Sequence, residues 1–122
     1  MKTSVLSVVI PAYNEARCLG ACLRSVKNQI ISVPYAIIVV DNNSTDNTVS
    51  LAREEGVEVI SVKQKGYAHA AIAGIAKSNS RIIAMTDADT VVPPDWLSRI
   101  YETFEIYPDA VAVGGPYEFQ DG

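Results

Sequence analysis

Histidine and cysteine are nearly missing from these 122 residues: there is one histidine, His69, and two cysteines, Cys18 and Cys22. That supply cannot furnish the four ligands of a structural zinc site. The two cysteines stand four apart in a helical pattern, where a disulfide between adjacent turns has poor geometry, so they read as reduced thiols. His69 falls inside a helical pattern, and no Gly-x-Ser-x-Gly elbow occurs, which weakens a serine or cysteine hydrolase. Also absent are Gly-x-x-x-x-Gly-Lys-Ser/Thr and, after the first apolar run, Gly-x-Gly-x-x-Gly, which disfavours P-loop NTPases and Rossmann dehydrogenases. Basic residues are in the minority, with ten Lys and Arg against fourteen Asp and Glu and a net charge of −4. With no basic stripe to neutralise phosphates, a nucleic-acid partner is disfavoured. No apolar run approaches the roughly 18 residues of a spanning helix. The first residues carry one Lys and a short apolar run, broken by Ser7 and ended by Pro11, with no cleavage site after it. They read as a buried strand, and the expected location is cytoplasmic.

What is present is regular alternation. Five short β-branched runs stand out: Val5–Ile10, Ala36–Val40, Val57–Val62, Arg81–Thr86 and Ala110–Gly114. Most lack strict polar–apolar alternation and read as strands buried on both faces of a parallel sheet. Helical patterns lie between them. Leu19, Cys22, Leu23 and Val26 keep i, i+3, i+4, i+7 spacing after Asn14, a candidate cap. A second helix, capped by Ser44 or Asp46, runs through Val49 and Ala52 to Gly56. The Ala-rich stretch Tyr67–Lys77 reads as a third. Pro94 and Asp95 suit the start of a fourth, with Leu97, Ile100, Tyr101 and Phe104 along one side. The order β-α-β-α-β-α-β-α-β over residues 1–122 predicts one α/β domain, a mainly parallel sheet with right-handed crossovers.

Ligands of such sheets sit at the carboxyl ends of strands. Three of those ends are unusually polar: Pro11–Glu15, Asp41–Thr48, and Asp87-Ala88-Asp89. Pro11–Glu15 also suits a plain turn and helix start. Asp41 and Asn42 are left over once capping of the next helix is met, and stand where a base or ribose could be read. Asp87 and Asp89, two apart on an extended segment, put like charges on one side, which calls for a cation or donors. Mg²⁺ and Mn²⁺ take one or two carboxylates plus substrate phosphates, so the pair suits a metal gripping a diphosphate. The competing role is capping of the next helix by Asp89 or Thr90.

Taken together, VVIPAYNEA, IIVVDNNSTDNT, KGYAHAAIAGIAKS and IIAMTDADTVVPPDWL, in this order, resemble the inverting family 2 glycosyltransferases of GT-A fold, from Ser7 to about Tyr117. The resemblance implies a three-layer α/β/α nucleotide-diphospho-sugar transferase fold, a nucleoside-diphosphate sugar donor (UDP-linked by preference), and Mn²⁺ or Mg²⁺. Carried over by motif, Pro11, Ala12, Tyr13 and Glu15 would line the nucleoside pocket. Asp41 and Asn42 would address base and ribose, and Lys65 the base or phosphates. Asp87 and Ala88 would contact the donor, with Asp87 also at the metal and Asp89 coordinating it.

The sequence departs from the family in three respects. Asn42 stands where many members carry a second acid. Ala70–Gly74 reads AAIAG, without the Arg and Asn of the common element. The family's catalytic domain is roughly twice this long, so the chain looks truncated, with no catalytic residue identified and the general base expected beyond Gly122. The expected partners are a nucleotide sugar and, through uncovered edges, further copies of the chain as a homo-oligomer; no membrane segment is expected. Two other readings compete: a non-catalytic nucleotide-binding module, and a nucleotidyltransferase-like enzyme with paired aspartates. The latter usually shows a Gly-rich basic loop after the first strand, which PAYNEARC is not.

Overall fold

The computed structural model describes residues 5–108. Four strands and four helices alternate strictly along them: β1 (Leu6–Ala12), α1 (Leu19–Lys27), β2 (Tyr35–Asp41), α2 (Thr48–Glu54), β3 (Glu58–Ser61), α3 (Tyr67–Lys77), β4 (Ile82–Met85) and α4 (Trp96–Ile106). All strand pairs are parallel, in the order β3-β2-β1-β4. The expected α/β architecture is therefore present. The fifth apolar run, Ala110–Gly114, lies outside the described residues.

Strand β1 is central and buried along its whole length, which explains why its seven residues include no exposed polar position. It runs through Pro11 and Ala12, two residues further than the apolar run suggested. Pro11 is tolerated there because at this level β1 pairs only with β2 (Pro11↔Val40), β4 on the opposite side having already ended at Met85. The two faces of the sheet are covered unequally. Val8, Ile10 and Val39 point into the main core with Leu19, Leu23, Val26, Ala52 and Leu97. Val9, Ile38 and Val40 point the other way, onto Ala70 of α3. Gly74 makes that close approach possible. A methyl group at this position would overlap Val9 Cγ1 and stand 3.0 Å from Val40 Cγ2.

Several local expectations are corrected. Asn14 does not cap α1. It adopts a left-handed conformation (φ 50°), and Cys18 occupies the cap position four residues on. Asp89 and Thr90 do not cap the next helix either, since Asp95 precedes the first residue of α4. Asp46 does serve the start of α2: its Oδ1 accepts from the Thr48 amide at 3.0 Å and from the Thr48 hydroxyl. Ser44 is used elsewhere, accepting from the Asn14 amide.

Candidate donor-binding site

The chain builds β1, β2 and β3 outward to one side, then returns across β1 to place β4 on the other. This reversal separates the loops after β1 and β4 and leaves a crevice at the carboxyl ends of the strands. A cleft of about 490 Å³ lies there. Pro11, Ala12, Tyr13 and Glu15 enter it from the end of β1, Asn42 from β2, and Asp87, Ala88 and Asp89 from β4. Lys65, Gly66, Tyr67 and Ala70 complete it from the β3–α3 connection and the first turns of α3.

Nine of the ten residues singled out in the sequence thus share one cavity. Asp41 does not line it. Its carboxylate is buried and accepts from the Ser44 amide at 3.2 Å, closing the turn after β2. The contributions of Gly66, Tyr67 and Ala70 were missed. The signal was the Lys-Gly-Tyr step before an Ala-rich helix: Gly66 holds φ 123°, open only to glycine, and lets the chain turn into α3 at the rim.

Each loop is held by a distinct set of bonds. The loop after β1 is stitched to the loop after β2. Asn14 Oδ1 accepts from the amides of Thr45 (2.8 Å) and Asp46 (3.3 Å), while the Asn14 amide donates to Ser44 Oγ (2.9 Å). Next to it, the Glu15 amide donates to Thr48 Oγ1 and the Ala16 amide to Asp46 Oδ2. The acidic loop after β4 is fastened along one stripe of α1 and its C-terminal extension. Cys22 Sγ donates to the Asp87 carbonyl (3.5 Å), Ser25 Oγ accepts from the Val92 amide (3.1 Å), and Gln29 donates to the Pro93 carbonyl (2.7 Å). Gln29 Oε1 also accepts from the Leu97 amide, tying in α4. Burial pushes the Cys22 thiol up to about 12, so it stays a protonated donor at neutral pH.

The cleft is electrostatically one-sided. Its lining holds the carboxylates of Glu15, Asp87 and Asp89 against one ammonium, Lys65. Burial raises the Glu15 carboxyl above its ordinary range, and Asp89, Asp87 and Asp46 push it the same way. The Tyr67 phenol is raised by burial and then by Asp87. Lys65 Nζ lies 6.0 Å from the centroid of the exposed Tyr13 ring, the outer reach of a cation–π contact. Among the described residues no group of three or more His, Cys, Asp and Glu side chains is arranged to hold a metal alone. Asp87 and Asp89 are hard oxygen donors exposed at the rim, so they suit Mg²⁺ or Mn²⁺ that completes its shell from water and a bound anion.

A parallel α/β domain with a polar, acidic crevice at the sheet's switch point is the class that the fold and the cleft define. The family described as Glycosyl transferase family 2 matches residues 7–122. Glycosyltransferase AglE of Haloferax volcanii is 36% identical over 121 residues, covering 93% of this chain and 40% of the relative. A dolichol-phosphate mannosyltransferase of Pyrococcus furiosus is 32% identical over 117 residues, covering 92% and 33%. Among solved structures, glucosyl-3-phosphoglycerate synthase of Mycobacterium tuberculosis, in complex with Mn²⁺, UDP and glucosyl-3-phosphoglycerate, superposes with a TM-score of 0.69 at 25% identity. That match covers 78% of this chain and 37% of the synthase. TarS of Staphylococcus aureus (residues 1–349) shares the fold with a TM-score of 0.75 at 18% identity, over 92% of this chain and 38% of TarS. The chain therefore belongs to glycosyl transferase family 2 and has the GT-A fold. It spans about 40% or less of the length of these relatives.

Proposed function

We propose that this chain forms the donor-binding part of a glycosyltransferase. The cleft would take a nucleoside-diphosphate sugar, UDP-linked by preference, with a divalent cation on Asp87 and Asp89. The observation that carries the reading is the charge of the cleft. Three carboxylates and one ammonium face a cavity that, on this reading, must take a diphosphate anion. Without a cation the phosphates would meet net repulsion in a partly desolvated space. Two carboxylates without a third protein ligand among the described residues leave coordination positions for phosphate oxygens, the arrangement a substrate-bridging Mg²⁺ or Mn²⁺ uses. A structural neighbour adds support: the glucosyl-3-phosphoglycerate synthase is seen in complex with Mn²⁺ and UDP together.

Within this reading each residue has a task. Tyr13 offers an exposed aromatic face for the base, with Lys65 beside it as the one positive charge among the described lining residues for the phosphates. Ala88 is buried between the two aspartates, so its small side chain packs inward while theirs face the cleft. The bound cation supplies neutralisation of charge that develops on the departing nucleoside diphosphate. Transfer with inversion also needs a base that deprotonates the acceptor, and the described residues are assigned donor binding, not that step.

Calorimetric titration of the chain with UDP, with and without Mn²⁺, tests the proposal. Binding should require the metal, and Asp89→Ala should weaken it at least about tenfold, or ~1.4 kcal/mol. Equal affinity with and without Mn²⁺, or an unaffected Asp89→Ala, would remove the metal from the account. Absence of binding by UDP, followed by binding of GDP, would move the base assignment and leave the metal assignment standing.

A further inference from the structure

We infer that Gln29, a residue outside the cleft, is a positioning residue for the Asp87–Asp89 pair: its amide caps α4 from a neighbouring element and pins the loop that carries both carboxylates. The inference rests on the donor-cleft reading and adds what fixes the geometry, and so the selectivity, of its cation site. The first amides of a helix have no partner within it and call on a capping side chain. Asp95 occupies the cap position of α4, yet among the described residues its side chain makes no capping bond and faces Arg99 at 3.1 Å instead. Gln29 supplies what Asp95 does not. Its Oε1 accepts from the amide of Leu97, the second residue of α4, at 2.8 Å. Leu97 is fully buried, so water offers that amide no substitute. The nitrogen end of the same side chain donates to the Pro93 carbonyl at 2.7 Å and to the Ser25 carbonyl at 3.1 Å. These bonds also fix which end of the amide is which, because the reverse orientation would turn Oε1 toward two carbonyl oxygens.

The two prolines explain why the loop needs this anchor. Pro93 and Pro94 have no N–H, so their backbone can be held only through the carbonyl oxygens. Consecutive residues hold both: the Gln29 side chain takes Pro93, and the Ile30 amide donates to Pro94 at 2.9 Å. Closer to the cleft, the Val92 amide donates to Ser25 and the Asp87 carbonyl accepts from Cys22. Asp89 lies between these fastened points, in a turn closed by the Thr90 amide on the Asp87 carbonyl at 3.1 Å. The spacing of the two carboxylates is thus set from both ends of the loop, and Gln29 holds the far end. Gln29 does not line the cleft, so its loss alters the frame without removing a ligand. Mg²⁺ demands near-ideal octahedral geometry at short distances, whereas Ca²⁺ accepts longer bonds and irregular shells. A loosened pair should therefore lose Mg²⁺ more than Ca²⁺. A mere fall in the folded fraction would weaken both alike.

Two measurements on the whole chain of 122 residues decide this. Gln29→Leu removes both cap and anchor. Gln29→Glu keeps an acceptor for the Leu97 amide but sets a carboxylate oxygen against the Pro93 carbonyl. The first measurement needs neither metal nor nucleotide. Hydrogen exchange followed by NMR should show the Leu97 amide protected in the wild type and in Gln29→Glu, and exchanging at least about tenfold faster in Gln29→Leu. A rapidly exchanging Leu97 amide in the wild type, or unchanged exchange in Gln29→Leu, overturns the cap. The second compares Kd for UDP in the presence of Mg²⁺ and of Ca²⁺. The wild type should prefer Mg²⁺, and in both variants that preference should shrink by about fivefold or more. Equal weakening with the two cations, an unchanged preference, or a wild type without one overturns the positioning role. If the wild type binds UDP with neither cation, nor with Mn²⁺, the donor-cleft reading fails and the selectivity claim with it, while the exchange result still decides the cap. If Gln29→Leu does not fold, Gln29→Glu alone decides the positioning role, and a full Mg²⁺ preference in it overturns the inference.

Discussion

At the scale of single residues, the most informative group is Glu15. It sits half-buried where the end of β1 meets the acidic loop, and burial together with Asp89, Asp87 and Asp46 raises its carboxyl above the ordinary value of 4.5. A raised carboxyl costs stability when ionised. The cost is absent below the unfolded value, grows as pH climbs through the folded value, and is complete above it. Metal-free Glu15→Gln is therefore expected to melt higher than the wild type at pH 7, with the gap closing as the pH falls toward 4. Paired thermal melts at the two pH values check this. A variant that melts lower at pH 7 would show that Glu15 makes a stabilising contact as an anion. Its place in the cleft was legible from the position after β1; its discomfort was not, because that depends on Asp87 and Asp89 more than seventy residues away in the chain.

At the scale of elements, the cleft is shaped by how loops are fastened rather than by the strands that carry them. Asn14 shows why the sequence reading fell short there. Asn before Glu and an apolar helical stripe satisfies every local rule for a helix cap. The side chain instead serves Thr45 and Asp46, thirty-one and thirty-two residues away, from a left-handed backbone that asparagine tolerates better than most residues. Asn14→Ala should lose the acceptor contacts to the Thr45 and Asp46 amides at about 0.5–1.5 kcal/mol each and add backbone strain of roughly 1 kcal/mol, for a total of about 2–4 kcal/mol. Asn14→Gly should lose only the contacts. Urea denaturation of both variants separates the terms, and equal, negligible effects in the two would mean that the stitch between the loops contributes nothing. The same long-range principle hides the stripe of Cys22, Ser25 and Gln29. Their i, i+3, i+7 spacing reads as helix face, and only the fold shows that they hold the acidic loop by its backbone.

At the scale of the whole molecule, the parallel order β3-β2-β1-β4 does what no single motif can. It brings three polar strand ends, separated by thirty to eighty residues in sequence, into one cavity. This convergence was legible in advance because buried parallel strands have a strong signature and because switch-point geometry directs ligands to their carboxyl ends. The position of Asp41 was not legible, since turn closure and ligand contact ask for the same carboxylate at the same place. The account's central claim is that the convergent cleft binds Mn²⁺ and a nucleoside diphosphate together. Paramagnetic broadening by Mn²⁺ in the presence of UDP, read residue by residue from the amide spectrum, tests it most directly. Amides of Tyr13, Glu15, Gly66 and Asp87–Asp89 should broaden first, while Leu6, Tyr35 and Ile82, at the opposite ends of their strands, should persist longest. Broadening that is strongest at those opposite ends, or indifferent to UDP, would contradict the claim.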